Sequence, residues 1–193
     1  MNGGGKSMTS HSEPNGDIWV FGYGSLIWRP GFDYLARRQA VIHGYHRSFC
    51  IYSHVHRGTP ERPGLVLGLD RGGSCRGVVY RVAAANADRV IAYLDGRERV
   101  TDVYHQAWVP ARTDQGSVQA LTYVPRYRTH PQYAGKLAPE LMANMIAHGE
   151  GQSGPGWEYL ENTVDHLAEL GIRDKGLAEL RRRVRAIRNV VVG

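Results

Sequence analysis

The chain has 193 residues, 42% of them apolar and 22% charged, with a net charge of +6. That length suits one domain with a sizeable core, and no apolar run approaches the ~20 residues of a membrane helix. Two cysteines, Cys50 and Cys75, exclude a disulfide framework and a cysteine-rich metal site; with no hydrophobic leader after Met1, a reducing cytoplasm is expected.

Residues 1–16 are rich in Gly, Ser and Asn and read as a flexible tail ahead of a domain over 17–193. Gly5-Lys6-Ser7 imitates the end of a phosphate-binding loop. The first glycine of such a loop would fall before Met1 and no strand precedes it, so that reading is rejected. Ile18-Trp19-Val20-Phe21 is a short run of β-formers. It breaks on Gly22-Tyr23-Gly24-Ser25-Leu26. Glycines one residue apart permit a tight turn and a close approach to the main chain. Successive N–H groups in such a turn can form a concave anion-binding nest. The third glycine of a dinucleotide fingerprint would fall on Ile27, and Pro30-Gly31 interrupts any following helix, which excludes that fold. On these residues alone, a plain turn and a ligand cradle both stay open.

Two strands are expected next, at about 39–45 and 47–52, with Gly44 marking a bulge or bend between them. His54 to Pro60 reads as a loop with exposed histidines. Residues 65–69 and 76–82 read as two more strands joined by a Gly-Gly turn. Asn86 is placed to cap a helix with Asp88 in its first turn. Val90, Tyr93 and Leu94 form the inner stripe of that helix, and Gly96 is expected to fray or stop it. Residues 104–111 and 118–124 form a hairpin around Asp114-Gln115-Gly116. Tyr123 to Pro131 reads as a surface loop.

Three helices follow. Pro139 opens the first, with Leu141, Met142, Met145 and Ile146 inward. The second carries Leu160, Val164 and Leu167 and ends at a glycine cap, Gly171, with Ile172 as its apolar partner. The third carries Leu177, Leu180, Val184, Ile187 and Val191 as one stripe. Its outer face holds Arg181, Arg182, Arg183, Arg185 and Arg188. That face fits a solvated helix or an RNA-binding helix; net charge alone fixes no partner. Strands first and helices after give an α+β fold, a sheet or small barrel with helices packed outside.

Two stretches together carry a family resemblance. Val20-Phe21-Gly22-Tyr23-Gly24-Ser25-Leu26-Ile27-Trp28 resembles the opening motif of the ChaC family, the glutathione-specific γ-glutamylcyclotransferases. Tyr93-Leu94-Asp95-Gly96-Arg97-Glu98 resembles that family's second motif, whose final Glu is catalytic. Arg57-Gly58-Thr59-Pro60 with Pro63-Gly64, Glu158-Tyr159-Leu160, and Leu170-Gly171-Ile172 with Gly176-Leu177 resemble further family segments. The resemblance covers about residues 18–190. It implies a small mixed β-barrel or highly curved sheet with flanking helices.

The resemblance also implies a reaction and a set of roles. Backbone groups from Val20 to Ser25, with Leu26 beside them, would hold the γ-glutamyl moiety. Glu98 would be the catalytic residue, and Tyr104 matches an aromatic that follows it. The family's longer Gly/Asn loop is here the shorter Ser153-Gly154-Pro155-Gly156-Trp157. The implied reaction attacks a γ-amide with the substrate's own α-amine. Nucleophile and electrophile share one molecule, so no cofactor and no metal is called for. The implied partner is a small molecule, glutathione or a related γ-glutamyl peptide, with no membrane and no nucleic acid expected. The rival readings are a cyclotransferase for other γ-glutamyl amides, and a noncatalytic glutathione- or RNA-binding module.

Overall fold

The computed structural model describes residues 16–98, 102–126 and 130–191, apart from the side chains of Glu98, Val190 and Val191. The tail expected over 1–16 therefore lies outside the described residues except for Gly16. Five strands form a closed barrel in the order β1-β3-β2-β4-β5. They are β1 (Ile18–Gly22), β2 (Ala36–Ser53), β3 (Gly64–Val82), β4 (Tyr104–Thr113) and β5 (Gly116–Pro125). β1 runs antiparallel to β3 and parallel to β5, where Trp19 lies against Ala120 and Val20 against Leu121.

All five residues of β1 are buried. Trp19 and Phe21 pack into the main core with the C-terminal helices, and Ile18 and Val20 into a second core beneath α1 (Ala84–Glu98). Burial on both faces is why this strand reads as an unbroken apolar run rather than an alternation. Each such aliphatic side chain contributes about 1.5–3 kcal/mol.

The four strands expected between residues 39 and 82 are two. β2 and β3 pair from Ala36–Arg81 to Ser53–Gly64, with a register shift between His43 and Tyr45. Gly44 has φ of 85°, and Gly72 and Gly73 have φ of 95° and 71°. These glycines bulge opposite one another, so the two strands bend together and the ladder resumes. The Gly-Gly turn is thus a bulge inside one long strand. The hairpin of β4 and β5 turns between Thr113 and Gly116, as expected. β5 extends to Pro125, so Tyr123 and Val124 are buried strand residues and not the start of a surface loop; 127–129 of that expected loop lie outside the described residues.

α1 begins at Ala84, before the expected Asn86 cap. Asp17 supplies the cap from the far side of β1: its Oδ1 accepts the Ala84 N–H at 2.9 Å, and its Oδ2 accepts Arg81 Nε at 2.8 Å. A capping carboxylate this distant in sequence leaves no local signature. Val90 and Leu94 are buried as expected, but Tyr93 is 41% exposed. Its hydroxyl rests against Gly31, where a Cβ would collide with it. The helix runs through Gly96 to Glu98.

α2 (Pro139–His148), α3 (Gly156–Glu169) and α4 (Lys175–Val191) pack together against the barrel. Between α2 and α3, β6 (Glu150–Gly151) and β7 (Gly154–Pro155) form a small hairpin. Leu141, expected inward, is 49% exposed; Ala143, Ile146 and Ala147 take the inner face of α2. α3 closes as expected: Gly171 has φ of 68° and donates to Ala168 O, while Ile172 N donates to Leu167 O, both at 2.8 Å, the paired bonds of a Schellman cap.

The arginines of α4 are engaged within the fold. Arg181 bonds Asp165 at 2.8 Å, Arg183 bonds Glu140 at 2.6 Å, and Arg185 bonds Glu161 at 2.6 Å. Arg182 pairs with Glu179 at 2.6 Å, and Arg188 lies over the Trp157 ring at 3.6 Å. Among the described residues, no helix is long and apolar enough to cross a membrane.

Candidate active site

A cavity of about 550 Å³ opens where β1 ends. Five residues of the expected cradle line it: Phe21, Tyr23, Gly24, Ser25 and Leu26. Val20 and Gly22 stand behind the wall, Val20 wholly buried in the core under α1. Tyr104 also lines the cavity.

The turn is held from several directions. Thr122 Oγ1 donates to Phe21 O at 3.2 Å, and Arg47 Nε donates to Tyr23 O at 2.6 Å. Tyr23 Oη donates to Tyr123 O at 3.2 Å, and Tyr80 Oη to Leu26 O at 2.8 Å. Residues Ser25–Ile27 form one 3₁₀ turn, closed by Ile27 N to Gly24 O at 2.9 Å. The first N–H groups of such a turn have no acceptor inside it, so Ser25 and Leu26 have donors to offer beside the cavity. Gly24 is required by a neighbour: a Cβ there would lie 2.8 Å from Tyr159 Oη.

α1 delivers the second motif to the same place. Arg97 Nη2 donates to Ser25 Oγ at 2.6 Å, and Arg97 Nη1 to Arg29 O at 3.1 Å. Asp95 Oδ1 accepts Tyr123 Oη at 2.7 Å and Gln106 Nε2 at 2.8 Å. These bonds tie the last turn of α1 to the Gly-rich turn and to the β4–β5 hairpin. Glu98 is the next residue after Arg97; its main chain ends α1, and its side chain lies outside the described residues. The Tyr104 hydroxyl donates to Leu67 O at 2.8 Å, so its proton is directed at a carbonyl.

Arg29, Arg57, Tyr159 and Glu158 also line the cavity. The sequence offered Arg57 and Tyr159 as family-like segments without a role. A charged residue on a Gly/Pro loop was the available signal. Arg29, Arg57 and Arg97 against Glu158 give the described wall a basic bias that suits an anionic ligand. His56, at the rim, hydrogen-bonds Ser153 Oγ at 3.0 Å. Lost hydration, then the charges of Arg57 and Arg97, hold its pKa below the ordinary value.

A closed five-stranded barrel with flanking helices, opening a cavity at a Gly-x-Gly-Ser turn, defines a γ-glutamylcyclotransferase fold. A solved yeast γ-glutamyl cyclotransferase specific to glutathione matches with a TM-score of 0.81 and 27% identity, over 90% of this chain and 98% of that one. The chain belongs to the ChaC-like family, whose model, described as ChaC-like protein, matches residues 18–187. Among curated relatives, the glutathione-specific γ-glutamylcyclotransferase of Escherichia coli (strain K12) is 34% identical over 166 residues, covering 86% of this chain and 71% of that protein. The enzyme of the same name from Schizosaccharomyces pombe is 34% identical over 201 residues, covering 91% and 98%.

Proposed function

We propose that this protein cyclises the γ-glutamyl group of glutathione to 5-oxoproline and releases cysteinylglycine. The observation that carries the reading is the junction of two motifs at one cavity: the Phe21–Leu26 turn lines it, and Arg97, the residue before Glu98, is bonded to Ser25. The Escherichia coli and Schizosaccharomyces pombe relatives are named glutathione-specific γ-glutamylcyclotransferases, which supports the reading.

The chemistry follows from this arrangement. The α-amine nitrogen attacks the γ-carbonyl carbon, a five-membered lactam forms, and the bond to the cysteinyl nitrogen breaks. Two protons leave the α-ammonium and two are gained by the departing amine as its ammonium, so the step balances without water. Glu98 takes up and returns those protons as general base and acid. The turn grips the γ-glutamyl end through its N–H groups and brings amine and carbonyl together. The N–H groups of Ser25 and Leu26 stabilise charge on the γ-oxygen. Tyr104 acts as wall and support, because its hydroxyl proton is spent on Leu67 O.

Two cysteines only, Cys50 and Cys75, each buried in a different part of the core, support a cytoplasmic setting. The ion pairs of α4 support a structural role for its basic face and no nucleic-acid partner.

The test is 5-oxoproline release from glutathione, followed by mass spectrometry, with Glu98→Gln alongside. Wild type is expected to release it and Glu98→Gln to lose about 10²–10⁴-fold in rate with an unchanged melting temperature. A Gln variant that keeps most activity would remove Glu98 from the role of base. Silence toward glutathione with turnover of other γ-glutamyl amides would transfer the reaction to those substrates.

A further inference from the structure

Arg57 stands on the wall of the cavity with no ion pair among the described residues. It lies in the loop between β2 and β3, half-buried. Its Nη1 donates to Pro155 O at 3.1 Å, and its Cζ lies 5.2 Å from the centroid of the Tyr159 ring. Among the described residues, no carboxylate pairs with it; Glu158 acts on it through space. Burial of the guanidinium holds its pKa below the usual arginine value. A desolvated cation facing a cavity is poised for an anion, because a partner there regains the interaction that water no longer provides.

The main chain behind Arg57 is rigidly fixed. Ser53 Oγ accepts the Arg57 N–H at 2.9 Å. The loop between β6 and β7 bonds the same segment, Gln152 N to Val55 O at 2.8 Å and Ser153 N to His56 O at 3.0 Å. Gly58 and Gly64 meet main chain to main chain: a Cβ on Gly58 would collide with Gly64 N, and one on Gly64 with Arg57 O. A side chain on a loop packed this closely is preorganised for its ligand.

Tyr159 supplies the distance. Its ring lies beneath Arg57 and its hydroxyl abuts Gly24. Arg57 is therefore one tyrosine ring from the Gly-rich turn. From a γ-carbonyl seated at that turn, two extended residues reach about 7 Å further, which brings a C-terminal carboxylate within range of the guanidinium.

We propose that Arg57 binds the C-terminal carboxylate of the substrate, and so selects a γ-glutamyl tripeptide acid over γ-glutamyl amides with a neutral tail. This rests on the cyclisation reading above, since it takes the γ-glutamyl end to lie at the turn. Arginine suits the task because its planar fork meets a carboxylate with two parallel bonds.

The experiment compares kcat/KM for glutathione and for its C-terminal carboxamide, in wild type, Arg57→Met and Arg57→Lys. Wild type is expected to favour the acid by about 10- to 100-fold. Arg57→Met is expected to lose most of that preference, chiefly through KM, and Arg57→Lys to keep part of it. A merely structural role would lower both substrates alike and leave the ratio unmoved. An acid-to-amide ratio near one in wild type, or an unchanged ratio in Arg57→Met, overturns the proposal. If Arg57→Met does not fold, the ratios of wild type and Arg57→Lys decide by the same criterion. Absence of 5-oxoproline from both substrates is the separate failure of the cyclisation reading; calorimetric titration of wild type and Arg57→Lys with the acid and the amide then decides the Arg57 question from the binding ratio.

Discussion

Arg97 and Ser25 are joined by a 2.6 Å hydrogen bond from guanidinium to hydroxyl. The bond connects the last turn of one helix to a turn at the end of the first strand. It holds together the two segments that the proposed reaction needs, the turn that would grip the substrate and the residue that would move its protons.

Breaking that bond is expected to cost rate more than stability. Arg97→Met removes a charged hydrogen bond worth about 1.5–3 kcal/mol. If this energy acts in the transition state, kcat/KM falls by about 10- to 100-fold. Ser25→Ala is expected to fall in the same direction, and the double variant to fall by less than the product of the two, since both remove one interaction. Steady-state assays on the four proteins check this. Strictly additive losses would show that the two residues act separately.

Asp17 governs stability rather than rate. It is 4% exposed and satisfies both the first N–H of α1 and Arg81. Asp17→Ala deletes a helix cap, about 1–2 kcal/mol, and the ion pair with the partly exposed Arg81, about 1 kcal/mol. The expected loss is about 2–3 kcal/mol by urea unfolding with an unchanged slope. Asp17→Asn keeps the capping oxygen and is expected to recover part of it. Equal losses in both variants would assign the effect to the Arg81 ion pair.

The two thiols are expected to be inert in the native state. Cys50 and Cys75 are 0% and 1% exposed. Burial pushes their pKa values up to about 12 and about 11. Iodoacetamide at pH 8 is expected to label neither until the chain is unfolded. The pH dependence follows in sign. Above the ordinary thiol pKa, the unfolded chain releases protons that the native chain keeps. Native stability from this source is therefore full below about pH 8.5 and declines as pH rises toward 11–12, by up to about 1.4 kcal/mol per pH unit for each thiol. A Cys50→Ala, Cys75→Ala variant is expected to show a shallower alkaline decline in urea unfolding. An equally steep decline would assign the effect to other groups.

What was legible in the sequence had a local cause. β1 reads correctly because both its faces are buried, and α4 because its apolar stripe turns to one side, against α2 and α3. Gly171 reads as a cap because only its own helix decides its conformation. The misreadings come from partners distant in sequence. Gly44, Gly72 and Gly73 look like chain breaks until they are seen to bulge against each other. Asn86 looks like a cap because Asp17, which does the capping, belongs to another element. Tyr93 falls on the apolar stripe by spacing, yet Gly31 gives its hydroxyl an outer resting place. The site divides the same way. Gly22 to Ser25 is a contiguous signal, whereas Arg57 and Tyr159 become neighbours through the barrel and the β6–β7 hairpin.

The parallel pairing of β1 with β5 has a consequence for the order in which the protein can be made. Trp19 and Val20 are among the first residues of the barrel to leave the ribosome, and Ala120 and Leu121 among the last. Until β5 has been synthesised, β1 keeps a bare edge, and the turn lacks the Thr122 and Tyr123 bonds that fix it. Ring closure across so long a stretch of chain is slow compared with forming the β4–β5 hairpin. The Gly-rich turn is therefore encoded near the start and fixed near the end, so a nascent chain stalled before residue 116 carries the motif without the cavity around it.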